Sequence, residues 1–195
     1  MIIGITGGSG SGKSTLLELI RKQGGLVLDC DRIYHQLLET DKALLSAIET
    51  RFPGTVEHGT LDRKKLGSIV FSDGDALKDL NRITHSAVKE EVLRQLAEKP
   101  CLAAIDAIGL FEGDLAKLCD VTVAVTAPAS HRIRRLMVRE GIPEEYAAQR
   151  IAAQHTDDWF REKCDHVLNN DSDLSAFETK CLAFLQSLSI MKEKP

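Results

Sequence analysis

The stretch GGSGSGKS, Gly7 to Ser14, decides how the rest of the chain is read. It satisfies G-x-x-x-x-G-K-[ST] and lies between an apolar run, Ile2 to Thr6, and a segment in which Leu16, Leu17 and Ile20 follow helical spacing. A strand, a glycine loop and a helix start in succession form the context in which this pattern has physical meaning. The loop Gly8-Ser9-Gly10-Ser11-Gly12 can turn consecutive backbone N–H groups inward around a phosphate, and the helix N-terminus adds its partial positive charge. Lys13 supplies a point charge for β- and γ-phosphates and Ser14 a hydroxyl for Mg²⁺, and Thr15 is expected with them among the residues that bind the triphosphate. A nucleoside triphosphate is the expected ligand.

Working outward, short apolar runs suited to buried parallel strands recur at Leu26 to Asp29, Leu102 to Asp106, Val121 to Thr126 and His166 to Leu168. Helical spacing lies between them, as in Ile83, Ala87, Val88, Val92 and Leu96, or Leu174, Phe177, Cys181 and Leu185. The alternation predicts an α/β fold of the P-loop NTPase type: three layers, α/β/α, around a five-stranded parallel sheet. Residues 32–100 break the rhythm. No strand is expected there, and the interval is too long for an ordinary crossover, so it reads as a helical insertion. A second excursion, about 134–159, is dense in charge and split by Gly141-Ile142-Pro143. The expected nucleotide-binding core is therefore 1–31 plus 101–195, with the phosphate loop at 7–15.

Composition narrows the classes. The chain has 195 residues, and 25 Lys plus Arg against 29 Asp plus Glu give a net charge of −4, which argues against a nucleic-acid binder. Aromatics at 5% offer few stacking platforms for single strands. No run of apolar residues is long enough for a membrane span, and no export signal opens the sequence. The five cysteines, Cys30, Cys101, Cys119, Cys164 and Cys181, are scattered without C-x-x-C spacing and read as reduced thiols of a cytoplasmic protein. A monomer is expected.

Phosphoryl transfer needs a carboxylate near the phosphate loop to orient or deprotonate the acceptor hydroxyl. Leu28-Asp29-Cys30-Asp31 ends the second strand with two candidates. Asp31 is assigned the base role and Asp29 support of the metal or Lys13, while a helix N-cap is the competing role for one of the pair. Asp106, closing Leu102 to Ile105, has the position of a Mg²⁺-directed carboxylate. Arg132, Arg134, Arg135 and Arg139 crowd one helix without an acidic partner before Glu140, which suggests an anion-facing lid. A regulatory GTPase is disfavoured because Ala127-Pro128-Ala129-Ser130 stands where N-K-x-D would be needed. A small-molecule kinase remains.

The full set of blocks resembles the dephospho-CoA kinase family over essentially the whole chain. It comprises Gly4 to Gly8 leading into Gly12-Lys13-Ser14-Thr15; Asp29-Cys30-Asp31, where that family usually has D-A-D; Gly59 to Gly67 with Val70-Phe71; and Leu80-Asn81-Arg82-Ile83-Thr84-His85. Leu110-Phe111-Glu112, Arg135-Leu136-Met137 with Arg139, Arg150-Ile151 with Gln154, and Asp165 to Leu168 with Asn170 complete it. The resemblance implies that ATP, with Mg²⁺, phosphorylates the ribose 3′-hydroxyl of dephospho-CoA and that residues 32–100 hold the acceptor. It further implies that Asp31 is the general base, that Arg139 and Arg135 contact transferring phosphates, that Asn170 lies near the adenine of ATP, and that Arg63 and His85 belong to the acceptor side. Two prolines of the family pattern are absent: His85 is followed by Ser86, and Ile108-Gly109 precede Leu110. Both backbones are expected to be looser for it.

Overall fold

The computed structural model describes residues 1–192. Its centre is a parallel sheet of β1 (Ile2–Thr6), β2 (Leu26–Asp29), β5 (Ala103–Asp106), β6 (Val121–Thr126) and β7 (His166–Asn169), in the order β2-β5-β1-β6-β7. β1 pairs with β5 on one side and β6 on the other, so the connections diverge at its carboxyl end and leave a crevice there. The phosphate loop sits at that point, between β1 and α1 (Lys13–Lys22).

Both sheet faces are covered, which is why the strands read as continuous rather than alternating apolar runs. On one face Ile3, Ile5, Val123 and Val125 pack with Leu16 and Ile20 of α1 and with Phe177, Cys181 and Leu185 of α9 (Leu174–Lys192). On the other, Leu28 and Ile105 meet Ile33 of α2 (Cys30–Thr40) and Val88 and Val92 of α5 (Gly74–Leu96).

The insertion has an apolar cluster of its own. Leu44 and Ile48 of α3 (Lys42–Arg51), Leu66 and Val70 of α4 (Arg63–Val70), and Ala76 and Leu80 of α5 pack around Phe52. Each helix starts on an Asp cap: Asp41 accepts from the Ala43 and Leu44 N–H groups, Asp62 from Lys64 and Lys65, and Asp73 from Asp75 and Ala76. Leu-Asp-Arg at 61–63 is thus the start of α4, with Arg63 exposed in its first turn.

One expectation is corrected. The insertion holds a short antiparallel hairpin, β3 (Val56–Glu57) with β4 (Thr60–Leu61). Two-residue strands are too short to show the alternation that marks a strand. A second expectation also changes, because Ser86 sits inside an unbroken 23-residue α5 and its backbone is not loosened. A residue with an N–H simply continues the ladder that proline would interrupt.

After β6 the chain enters α6 (Ala129–Glu140), α7 (Glu144–Ala152) and α8 (Asp157–Lys163). Gly141 ends α6 in the left-handed conformation at φ 67°, letting α7 fold back against it. No described helix is long and apolar enough to cross a membrane.

Candidate active site

Three glycines of the loop are in the left-handed half of φ space, Gly7 at 133°, Gly10 at 76° and Gly12 at 105°. A side chain on Gly12 would also run into the Asn170 carboxamide, and one on Gly8 into the Arg132 guanidinium. The carbonyls of the loop are all engaged. Lys13 Nζ donates to Gly7 O at 2.8 Å, Arg132 Nε to Ser9 O at 3.0 Å, and Arg135 to Gly10 O and Ser11 O at 3.0 and 3.2 Å. Asn170 Nδ2 also reaches Ser11 O, while the Gly8 and Gly12 carbonyls accept from Ser11 and Thr15 N–H. With the oxygens committed, the amide edge of the loop is what remains for an anion.

Gln154, in the turn just past α7, locks this arrangement. Its Oε1 accepts from Ser9 N–H at 3.0 Å and from Arg132 at 2.6 Å, and its Nε2 donates to Ser9 Oγ at 2.8 Å. Gln154→Ala strands the Ser9 amide and one donor of a buried arginine, so it should cost about 1–3 kcal/mol of folding stability. Urea denaturation checks this, and wild-type stability in the variant would remove Gln154 from the clamp.

A cavity of about 760 Å³ opens over the loop. It is lined by Ser9 to Ser14 on one side, by Asp29, Asp31 and Asp106 below, and by Arg135, Arg139 and Arg150 above. Asp29 and Asp106 are register neighbours at the carboxyl ends of adjacent strands, and Asp31 lies in the first turn of α2. Burial, reinforced by Asp29 and Asp31 and opposed by Lys13, pushes the Asp106 carboxyl up to about 6. Burial lowers the Lys13 ammonium, with Asp106 and Asp31 holding it up. Burial and then the same three carboxylates push the Cys30 thiol up to about 12, so it stays protonated.

The raised Asp106 value has a consequence for stability. Ionising this carboxyl is harder in the folded chain than in the unfolded one, so its contribution is intact at low pH and is lost as pH rises from about 4 through about 6. Asp106→Asn should remove a loss on the order of 2 kcal/mol across that window in ligand-free protein. Urea midpoints of both proteins from pH 4 to 7 test it; parallel curves would contradict it.

A metal ion can be accommodated only in part by the protein. Among the described residues no group of three or more His, Cys, Asp or Glu side chains forms a metal cage. Asp106 Oδ1 is nevertheless buried with no hydrogen-bond partner, at the edge of the cavity that Ser14 also lines. An orphaned carboxylate oxygen beside a hydroxyl suits a Mg²⁺ that takes its remaining ligands from phosphates and water.

The structure redistributes several roles. Asp29 is the N-cap of α2, accepting from Arg32 N–H at 3.0 Å, which ties up one oxygen of a carboxylate expected at the metal. The arginines do not form one anion-facing row. Arg132 is buried beneath the loop, Arg135 braces it, and Arg139 pairs with Glu140, which also binds Arg150. Asn170, expected near the adenine, is buried, donates to Ser11 O and does not line the cavity. Thr15 stands just beyond the lining, its N–H bonded to Gly12. His85 lines a second cavity that shares Asp31 with the first, whereas Arg63 lines neither and acts on Tyr34, lowering its hydroxyl against the rise caused by burial. Arg150 in the last turn of α7 and Gln154 just past its end have no local pattern in the sequence that marks them as site residues; only the tertiary contacts bring them to the loop and the cavity.

Comparison with known proteins agrees with this geometry. The family model described as dephospho-CoA kinase matches residues 1–176. A dephospho-CoA kinase of Bacillus cereus is 35% identical over 197 residues, covering 98% of each chain. A crystal structure of a Thermus thermophilus protein superposes with a TM-score of 0.80 at 35% identity, covering 96% of this chain and 97% of that one. The dephospho-CoA kinase of Campylobacter jejuni shares the fold at a TM-score of 0.68 and 24% identity, with 98% of each chain covered. A loop built to hold phosphates, carboxylates across from it and a match from end to end lead to one assignment: the chain belongs to the dephospho-CoA kinase family.

Proposed function

We propose that this chain transfers the γ-phosphoryl group of ATP to the ribose 3′-hydroxyl of dephospho-CoA, releasing CoA and ADP, with the residues below in the stated roles. The observation that carries the assignment of the reacting centre is that Asp31 lines both the phosphate-loop cavity and the smaller cavity under α5. Ala107 and Ile108 also border both cavities, but of the three shared residues Asp31 alone has a side chain that can take a proton.

The amide groups from Gly8 to Ser14 and Lys13 hold the β- and γ-phosphates, fixing the triphosphate against α1. Asp31 accepts a hydrogen bond from the acceptor hydroxyl and takes its proton as the oxygen attacks the γ-phosphorus. Arg139 and Arg150 approach the triphosphate from the lid side of the cavity, and Arg135 holds the loop carbonyls away from it. These cations stabilise charge spread over the transferring oxygens. Ser14 and Asp106 are the side chains that would hold Mg²⁺, which when bound neutralises charge on the phosphates. Asp29 acts through its cap, aiming the first turn of α2 and hence Asp31.

In this reading residues 32–100 form the acceptor side, residues about 134–159 the lid, and the rest the nucleotide-binding core. All five cysteines are free, in keeping with a reducing, cytoplasmic setting.

Coupled ADP release with purified protein, ATP, Mg²⁺ and dephospho-CoA tests the proposal directly, with mass spectrometry locating the added phosphate on the 3′-oxygen. ADP release that ignores dephospho-CoA, or that responds equally to a nucleoside or a sugar, would sink it.

A further inference from the structure

We propose that Glu140 is a positioning residue for phosphoryl transfer, its carboxylate holding Arg139 and Arg150 as a pair that faces the transferring phosphoryl group. The inference rests on the reaction assigned above. Glu140 Oε1 accepts from Arg139 Nη2 and Oε2 from Arg150 Nη1, each at 2.5 Å. One carboxylate thus joins the end of α6 to the last turn of α7, and both arginines line the cavity over the phosphate loop.

Local structure does not account for an acid at this place. Glu140 is the last residue of α6, where the partial negative charge of the helix end disfavours a carboxylate. The two guanidinium groups offset that repulsion. The bond from Arg139, followed by that from Arg150, holds the Glu140 carboxyl below the ordinary carboxylate range.

The division of donors shows what this carboxylate does for the site. Arg135, the third arginine over the loop, spends its bonds on Gly10 O and Ser11 O. Arg139 and Arg150 bond only to Glu140 among the described residues, so the rest of each five-donor fork is open to an anion. Their side chains are 61% and 40% exposed, and without an anchor such long chains spread over many rotamers. Glu140 fixes one edge of each fork and does not itself line the cavity, so it acts through the arginines. A pair fixed in advance stabilises charge on the transferring oxygens without reorganising as that charge develops.

Positioning has a kinetic signature that binding and folding lack. Removing a negative charge beside a triphosphate site does not weaken attraction of the nucleotide, whereas releasing the two forks misplaces them in the transition state. The test compares kcat and KM for wild type, Glu140→Gln and Glu140→Ala with ATP and dephospho-CoA, and repeats both changes in protein carrying Arg139→Ala and Arg150→Ala. Circular dichroism and thermal melting check folding, and Glu140→Gln, which keeps the side-chain volume, carries the comparison if Glu140→Ala does not fold. Both Glu140 variants should lower kcat by about 10- to 100-fold with the KM for ATP no higher than in wild type. Without the arginines the same changes should leave kcat within about twofold. Unchanged kcat, a KM for ATP that rises as turnover falls, or an equal loss with and without the arginines overturns the role. A lower melting temperature with undiminished turnover does so too, because it makes Glu140 a brace between α6 and α7. Failure of wild type to phosphorylate dephospho-CoA is a separate result, which removes the reaction and this role together.

Discussion

Asp31→Asn should lower kcat by about 100- to 10,000-fold while ATP affinity stays near wild type. The asymmetry follows from position. Asp31 lies in the first turn of α2, whose direction is set by the Asp29 cap, and its carboxylate makes no hydrogen bond or ion pair among the described residues. It is thus free to accept a proton, and asparagine, nearly the same shape, cannot. Nothing in the loop depends on it, since the loop carbonyls are held by Lys13, Arg132, Arg135 and Asn170. Removing one negative charge from the floor of a triphosphate site also lessens repulsion of the nucleotide, so binding should not weaken. Steady-state turnover and direct ATP titration on the same preparation separate the two effects. Undiminished kcat would take the base role away from Asp31; equal losses in turnover and ATP binding would make it a binding residue.

Lys13→Ala should act on both quantities, reducing kcat/KM for ATP by about 100- to 1,000-fold. In the ligand-free chain the ammonium is stationed on Gly7 O at 2.8 Å, with Asp106 and Asp31 as its nearest compensating charges. It is therefore already placed where phosphate charge arrives, and turns from one anion to another without a long reorganisation. Arginine should not rescue it, because a planar fork does not fit the site of a compact point charge. The variant carries a second signature. Without Lys13 the Asp106 carboxyl loses the larger of the two charges, Lys13 and Arg21, that oppose the effect of its burial, so its ionisation should shift further upward. Ligand-free Lys13→Ala should accordingly be less stable than wild type above about pH 6 and closer to it at pH 4. A stability difference independent of pH, or turnover restored by Lys13→Arg, would contradict this account.

Part of the site could be read from the chain because its chemistry is contiguous. Strand, glycine loop and helix occupy residues 2–22 without interruption, and the loop can bind phosphate only in that local context. Asp29, Asp31 and Asp106 were legible for a related reason: each lies at or just past the end of an apolar run, and parallel strands bring such ends to one edge. The hairpin at Val56–Leu61 was not legible, since two residues per strand carry no periodicity.

What the sequence by itself determined is the sheet, the phosphate loop and the identity of the carboxylates, all properties of short segments with a repeating pattern or a fixed spacing. The tertiary structure alone decided which polar groups brace the loop. Arg132 reaches Ser9 across 123 residues of chain, Gln154 across 145, and Asn170 meets Ser11 across 159. Arg132 belongs to a helix expected to face an anion, and the family resemblance implies a place near the adenine for Asn170, yet a buried guanidinium or amide must spend its donors on whatever acceptor packing brings beside it. Here packing brings the loop carbonyls, and by occupying them these side chains leave the loop amides free for phosphate.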